Sequence, residues 1–378
     1  MTDNDDKRLA WIDLMRLVAI FMVIAVHCAD PFNISPEART NPGYGFWGAF
    51  WGSMMRPCVP LFVMITGALL LPVKEGMGRF YARRLSRIAV PFLVWSVLYS
   101  LFPWVTGLLG LPASSISRVF AYAPADASQS LGDALLDIAR IPVNFNTYTV
   151  PMWYIYMLIG LYLAMPVFSA WVEKSNRRER RAFLAVWAAS LLLPLARRYL
   201  AADLLGACAW NGFDTLYYFS GFIGYLLLGS HLLHGARDWS TARLLAPCAL
   251  LFAAGHLVAF LGFRSMPPDC SEQELELFFL YCSPQVLAMT LAVFMLVRSI
   301  RIANPTVKRL LANLGRCGLG IYLVHYFMVG LGYAIADALA LPVSIRIPVS
   351  ALIVLGLTWA LVALAHRLFP KAAKWVLG

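Results

Sequence analysis

Four residues in the first apolar stretch carry groups that can do chemistry: Asp13, Arg16, His27 and Asp30. Arg16 and His27 are eleven residues apart, and eleven steps of about 100° overshoot three whole turns by only about 20°. In a helix both side chains lie on one face, about 16 Å apart along the axis. Asp13 precedes Arg16 by three residues and Asp30 follows His27 by three, so each has a carboxylate partner at helical spacing. A cation and a titratable imidazole on one stripe of an apolar helix line a polar interior, where a histidine suits proton transfer. A salt bridge plus a hydrogen-bonded histidine near the outer end fits the same spacing.

Further candidates follow along the chain. Arg56 begins Arg56-Pro57-Cys58-Val59-Pro60, where the prolines must break the helical ladder inside an apolar run. In the same outer half as His27, its cation suits a developing oxyanion or an acceptor hydroxyl; snorkelling to the outer headgroups is the alternative. Arg79, Arg83, Arg84 and Arg87 cluster before the third apolar run, with Arg84 and Arg87 on one face at i,i+3. Arginines at a helix start bind phosphates bidentately, aided by the helix dipole, although a basic anchor on the cytoplasmic side has the same composition. Trp153, Tyr154 and Tyr156 open another run as an interfacial belt or a sugar-stacking face. His325 has Tyr322 one turn before it and lies about a third of the way in from the cytoplasmic face; His256 is a lone histidine suited to a core hydrogen bond. The seven cysteines show no metal-ligand spacing, so no metal is expected; Cys208 and Cys270 could pair.

The elements that must position these groups are membrane helices. Only 13% of the 378 residues are charged and 60% are apolar, against about 25% charged in soluble domains. That charge fraction excludes soluble α/β enzymes, disordered chains and coiled coils. Ten apolar stretches reach about the length of a spanning helix, at 11–30, 47–71, 88–110, 150–172, 182–200, 213–233, 244–263, 277–297, 317–336 and 347–365. The runs are continuous, which excludes alternating transmembrane strands. The first contains Asp13 and Arg16 and is not a signal peptide.

With the N-terminus inside, 22 Lys and Arg residues fall on the cytoplasmic face and 7 on the other. The positive-inside rule then places both termini in the cytoplasm. The net charge of +11 is thus mostly an orientation signal, and nucleic acid is not expected as a partner. The longest outer loop, 111–149, carries Arg118, Asp126, Asp133 and Asp137 and is expected to hold a short amphipathic helix at 131–140. The expectation is an all-α polytopic bundle of about ten transmembrane helices, forming a single domain over 1–378 with no appended soluble domain.

Five motifs in order resemble the membrane-bound acyltransferase 3 family of bacterial glycan O-acyltransferases. They are the Arg16–His27 pair, the run Leu61–Gly67 with Thr66 where the family has Ser, the Arg84–Arg87 pair, Met152-Trp153-Tyr154 with Tyr162-Leu163, and Tyr322–His325. Among the family's branches, the chain is most similar to the one holding enterobacterial common antigen and exopolysaccharide O-acetyltransferases. The resemblance implies an inner-membrane enzyme with acetyl-CoA as donor and a glycan or lipid-linked oligosaccharide as acceptor. It implies His27 as general base, Arg16 and Arg56 as further catalytic groups, and Arg84, Arg87, Arg83 and Arg79 on the CoA phosphates. Asp30, Trp153, Tyr154, Tyr322 and His325 would meet the substrate. A covalent acyl-histidine relay stays compatible with the same residues. Ten spans with buried charges also describe a polysaccharide exporter or other secondary transporter, but no inverted repeat with paired broken helices is found.

Overall fold

The computed structural model describes residues 3–111, 129–200, 206, 215–235, 239–267 and 269–378. Among them regular structure is helical, with no β-strand. The helices are α1 (Asp3–Ala29), α2 (Pro36–Thr40), α3 (Pro42–Met54), α4 (Cys58–Leu70), α5 (Met77–Leu108), α6 (Leu131–Arg140), α7 (Trp153–Lys174) and α8 (Arg177–Ser190). There follow α9 (Leu193–Tyr199), α10 (Ile223–Gly235), α11 (Thr241–Arg264), α12 (Glu272–Leu275), α13 (Pro284–Ser299), α14 (Pro305–Ala338), α15 (Val343–Leu368) and α16 (Pro370–Val376).

Eight helical stretches among the described residues are long and apolar enough to cross a bilayer: Ala10–Phe32, Pro42–Leu70, Met77–Leu108, Tyr148–Lys174, Thr241–Arg264, Glu272–Ser299, Pro305–Ala338 and Val343–Leu368. Large apolar side chains on their outer surfaces, such as Leu108, Val167, Leu250 and Leu352, are exposed, as a lipid-facing surface requires. The chain is a polytopic, all-α membrane protein.

The two remaining expected spans take another form. In 182–200 the helix stops at Ser190 and α9 restarts at Leu193, because Pro194 removes a donor and disfavours helix before it. In 213–233 only the 13 residues of α10 are helical among those described, about 20 Å of rise against a hydrocarbon core of about 30 Å. Gly224 to Ser230 are all buried. A helix apolar all round is buried, in a protein core or across a membrane. Composition alone does not separate such a helix from a span.

The expected break in the second span is present: α3 ends at Met54 and α4 begins at Cys58 with Pro57 as its N-cap. The expected outer helix is α6, closed by a capping box in which Ser130 and Asp133 exchange hydrogen bonds. Cys208, Arg118 and Asp126 lie outside the described residues.

Two compact units are formed, each from three stretches of chain. The first comprises Met1–Met22, Gly52–Lys74 and Ala164–Leu311; the second comprises Val23–Trp51, Glu75–Leu163 and Ala312–Gly378. In the first, α4 and α10 cross backbone to backbone. A Cβ on Gly67 would stand 2.0 Å from the Leu226 carbonyl oxygen, and one on Gly229 would stand 2.0 Å from that of Met64. Small residues permit this approach in a membrane, where the gain comes from van der Waals packing. Nearby, the Trp187 indole covers Gly224 and donates to the Gly221 carbonyl at 2.8 Å.

In the second unit, Tyr99 ties α5 to α14. Its hydroxyl donates to the Leu323 carbonyl at 2.8 Å while its ring stacks on Phe327 at 4.1 Å. Gly48 of α3 rests on the Phe32 carbonyl, where a Cβ would stand at 2.0 Å. That contact clamps α3 to the turn following α1.

The α4–α10 crossing gives a direct test. G67V and G229V should each destabilise the protein by about 1–3 kcal/mol or more, since backbone on the facing helix has nowhere to move. Thermal unfolding in detergent, followed by size-exclusion fluorescence, reads the effect. A wild-type melting profile for both variants would refute the close crossing.

Candidate active site

The candidate site in the second unit begins at the end of α1. Pro31 disfavours helix at Asp30, so α1 stops at Ala29 and a 3-10 turn spans Asp30–Phe32. The turn is closed by Asn33 and Ile34, whose amides donate to the Asp30 carbonyl at 3.1 and 3.0 Å. Helix ends leave carbonyls without an intrahelical donor. Here the Tyr333 hydroxyl supplies one, donating to the Cys28 carbonyl.

This turn sets the key contact. His27 Nδ1 lies 3.2 Å from Asp30 Oδ2, with the two side chains 15% and 12% exposed. A carboxylate on Nδ1 fixes the tautomer and leaves Nε2 as the basic nitrogen, the arrangement of a histidine base with an orienting acid.

The rest of the cluster comes mainly from α14. The His325 ring centroid is 5.3 Å from that of His27, and Tyr326 meets His27 edge-on, also at 5.3 Å. His325 is fully buried, and its Nδ1–H donates to the Tyr322 carbonyl. Tyr322 stands 5.6 Å from His325 and 5.5 Å from Tyr154, and donates its hydroxyl to the Pro151 carbonyl. Trp153 packs edge-on against Tyr154 at 6.4 Å. Five expected site residues, His27, Asp30, Tyr154, Tyr322 and His325, thus form one connected group, with Trp153 at its edge.

The depth of His325 differs from expectation. Counted from the apolar run at 317–336, it falls about a third of the way in from the cytoplasmic face, yet its ring is level with His27. The reason is the start of α14 at Pro305, twelve residues before that run. The amphipathic first turns of α14, with Lys308 and Arg309, carry no hydropathy signal. Tyr326 and Tyr333 were not singled out from sequence, although helical spacing holds the signal: 322, 325, 326 and 333 fall on one stripe of α14.

The remaining arginines lie elsewhere. Arg84 on α5 is half-buried, whereas Arg79, Arg83 and Arg87 are exposed. Tyr162, Glu75, Arg83 and Arg87 all act electrostatically on Arg84, and Arg83 pairs with Glu75. All of these belong to the second unit. Arg16 pairs with Asp13 at 2.7 Å, as the spacing predicts, on the part of α1 that belongs to the first unit. Arg56, also in the first unit, does not snorkel. It is 5% exposed, with its guanidinium 4.2 Å over the Phe279 ring and 5.8 Å from that of Tyr281. Such cation–π contacts are worth about 2 kcal/mol when desolvated. Likewise His256 is tied into the first unit, 3.0 Å from Ser53 Oγ.

A family profile described as an acyltransferase domain matches residues 9–365. The chain belongs to the acyltransferase 3 family. No curated protein and no solved structure matches it. The family's reaction class is acyl transfer, which needs a base for the attacking group.

Asp30 is testable on that footing. D30N keeps the shape of the turn but no longer favours the protonated Nδ1, so acyl transfer should fall by roughly 10²-fold or more with normal insertion in the membrane. Radiolabel transferred from the acyl donor, normalised to folded protein, measures it. A wild-type rate in D30N would remove Asp30 from the site.

Proposed function

We propose that this acyltransferase moves an acetyl group from cytoplasmic acetyl-CoA to a sugar hydroxyl of a cell-surface or secreted polysaccharide, or of its lipid-linked precursor, in the bacterial inner membrane. The observation that carries the reading is the His27–Asp30 contact at 3.2 Å within a family of acyltransferases. His27 Nε2 takes the proton of the sugar hydroxyl as its oxygen attacks the thioester carbonyl. The tetrahedral intermediate then expels the CoA thiolate, and the imidazolium returns the proton to sulfur. Asp30 stabilises that imidazolium while it exists.

The donor end is assigned to the first turns of α5. Arg84 and Arg87, with Arg79 and Arg83, offer planar forks that match phosphate geometry, at a helix N-terminus that favours anions. A half-buried arginine beside three exposed ones supports a mouth into which a multiply charged head docks. The aromatic faces of Tyr154, Tyr322 and Trp153 suit the acceptor, since sugar rings stack on aromatic planes. Both termini are placed in the cytoplasm by the distribution of basic residues.

Reconstitution with acetyl-CoA and a bacterial glycan fraction, with mass spectrometry of the glycan, tests the reading. Thioester consumption coupled to glycan acetylation supports it; glycan movement without thioester consumption would replace it with the carrier reading. In the same assay H27A should lose about 10²–10⁴-fold in rate while still inserting. R84A combined with R87A should raise KM for acetyl-CoA with a smaller change in kcat, the signature of lost ground-state binding. Unchanged donor affinity in the double variant would rule out the α5 mouth.

A further inference from the structure

His325 is the most enclosed polar side chain of the cluster, at 0% exposure. A carbonyl can only accept, so its Nδ1 carries the proton given to Tyr322. In the neutral ring the other nitrogen, Nε2, is then a lone pair that can only accept. It is buried and has no hydrogen-bond partner among the described residues. Buried polar atoms are nearly always paired, so an unmatched acceptor beside a reactive histidine points to a donor on the substrate.

His27 presents the same chemistry. Its Nδ1 is engaged by Asp30, so its Nε2 also offers a lone pair. The two rings are 5.3 Å apart, tilted by 34°, and no hydrogen bond joins them. One hydroxyl has a single proton and satisfies only one of these nitrogens. Two lone-pair acceptors on neighbouring rings call for two hydroxyl donors, which one sugar ring offers on adjacent carbons.

We propose that His325 accepts a hydrogen bond from the hydroxyl next to the one being acylated, so that the paired histidines select a vicinal diol. This deepens the acceptor reading given above and rests on it. His27 removes the proton of the reacting hydroxyl, while His325 holds the neighbouring hydroxyl and fixes which oxygen faces the thioester. Tyr322 contributes through its carbonyl, which locks the His325 tautomer.

The test uses the full chain in nanodiscs with nitrogen-15-labelled histidine, and H325N to assign the His325 signals. Nuclear magnetic resonance at neutral pH should show a protonated Nδ1 and a bare Nε2; a protonated Nε2 overturns the proposal. Titration with cis-cyclohexane-1,2-diol should shift the Nε2 signal, and cyclohexanol should not. Equal shifts, or none from the diol, overturn it. With acetyl-CoA as donor, the diol should be favoured by about tenfold in kcat/KM, the worth of one neutral hydrogen bond. In H325N that ratio should fall to near one. H325Q, whose amide oxygen reaches the Nε2 position, should restore part of it. An H325N protein that slows both alcohols alike and keeps their ratio marks a merely structural histidine and overturns the proposal. If the wild type consumes no thioester while the diol still shifts Nε2, the acetyl-CoA reading fails and the diol site stands.

Discussion

Hydrocarbon offers no hydrogen bonds, so a polar group carried into a membrane helix must find its partner in the protein or in what the protein binds. The end of α1 shows what this constraint builds. A helix terminus releases carbonyls, and a buried imidazole needs a partner that fixes its ring. Pro31 ends the helix where Asp30 can return to His27, and Tyr333 reaches the carbonyl of Cys28. The same groups that make the helix end tolerable in an apolar setting also orient the His27 ring. Chemistry and solvation requirement coincide at this turn, and the surrounding elements of the second unit, α3 through Gly48 and α14 through Tyr333, are fastened to it.

The two histidines show how one requirement gives two outcomes. Both commit Nδ1, His27 to a carboxylate and His325 to a helix carbonyl. The carboxylate holds the His27 ring by its Nδ1. A carbonyl offers only a dipole, and His325 is enclosed at 0% exposure, which disfavours charge. The first arrangement suits a base and the second a neutral acceptor. Arg56 meets the constraint differently, by lying over the faces of Phe279 and Tyr281, whose quadrupoles partly replace its hydration.

What sequence made legible follows from the range of each interaction. Contacts three residues apart on a helix were readable: Asp13 with Arg16, His27 with Asp30, and the capped helix at 131–140. The broken second span was readable too, because proline acts on its own backbone. Non-local facts were not. That His325 is level with His27 depends on where α14 begins, and its first turns are too polar for a hydropathy signal. That α10 is buried from Gly224 to Ser230 depends on the neighbours that cover it. That Arg56 faces aromatic rings depends on Phe279 and Tyr281, more than 200 positions along the chain.

The motif Thr66-Gly67 shows why a family pattern must be divided into chemistry and packing before it is assigned to a site. The Thr66 hydroxyl donates to the Phe62 carbonyl at 2.9 Å, which occupies it within its own helix. Gly67 lies against the backbone of Leu226, and Gly229 returns the contact at Met64. A side chain at either glycine would push two helices apart along their whole length, since neither backbone can yield locally. In this chain the motif therefore holds α4 and α10 together, and a serine in place of Thr66 would serve the same internal bond. His27 is the opposite case. Its Nδ1 is bound but its ring is not sealed, with 15% of the side chain still exposed. A residue fixed at one end and open at the other is arranged to meet something that is not part of the fold.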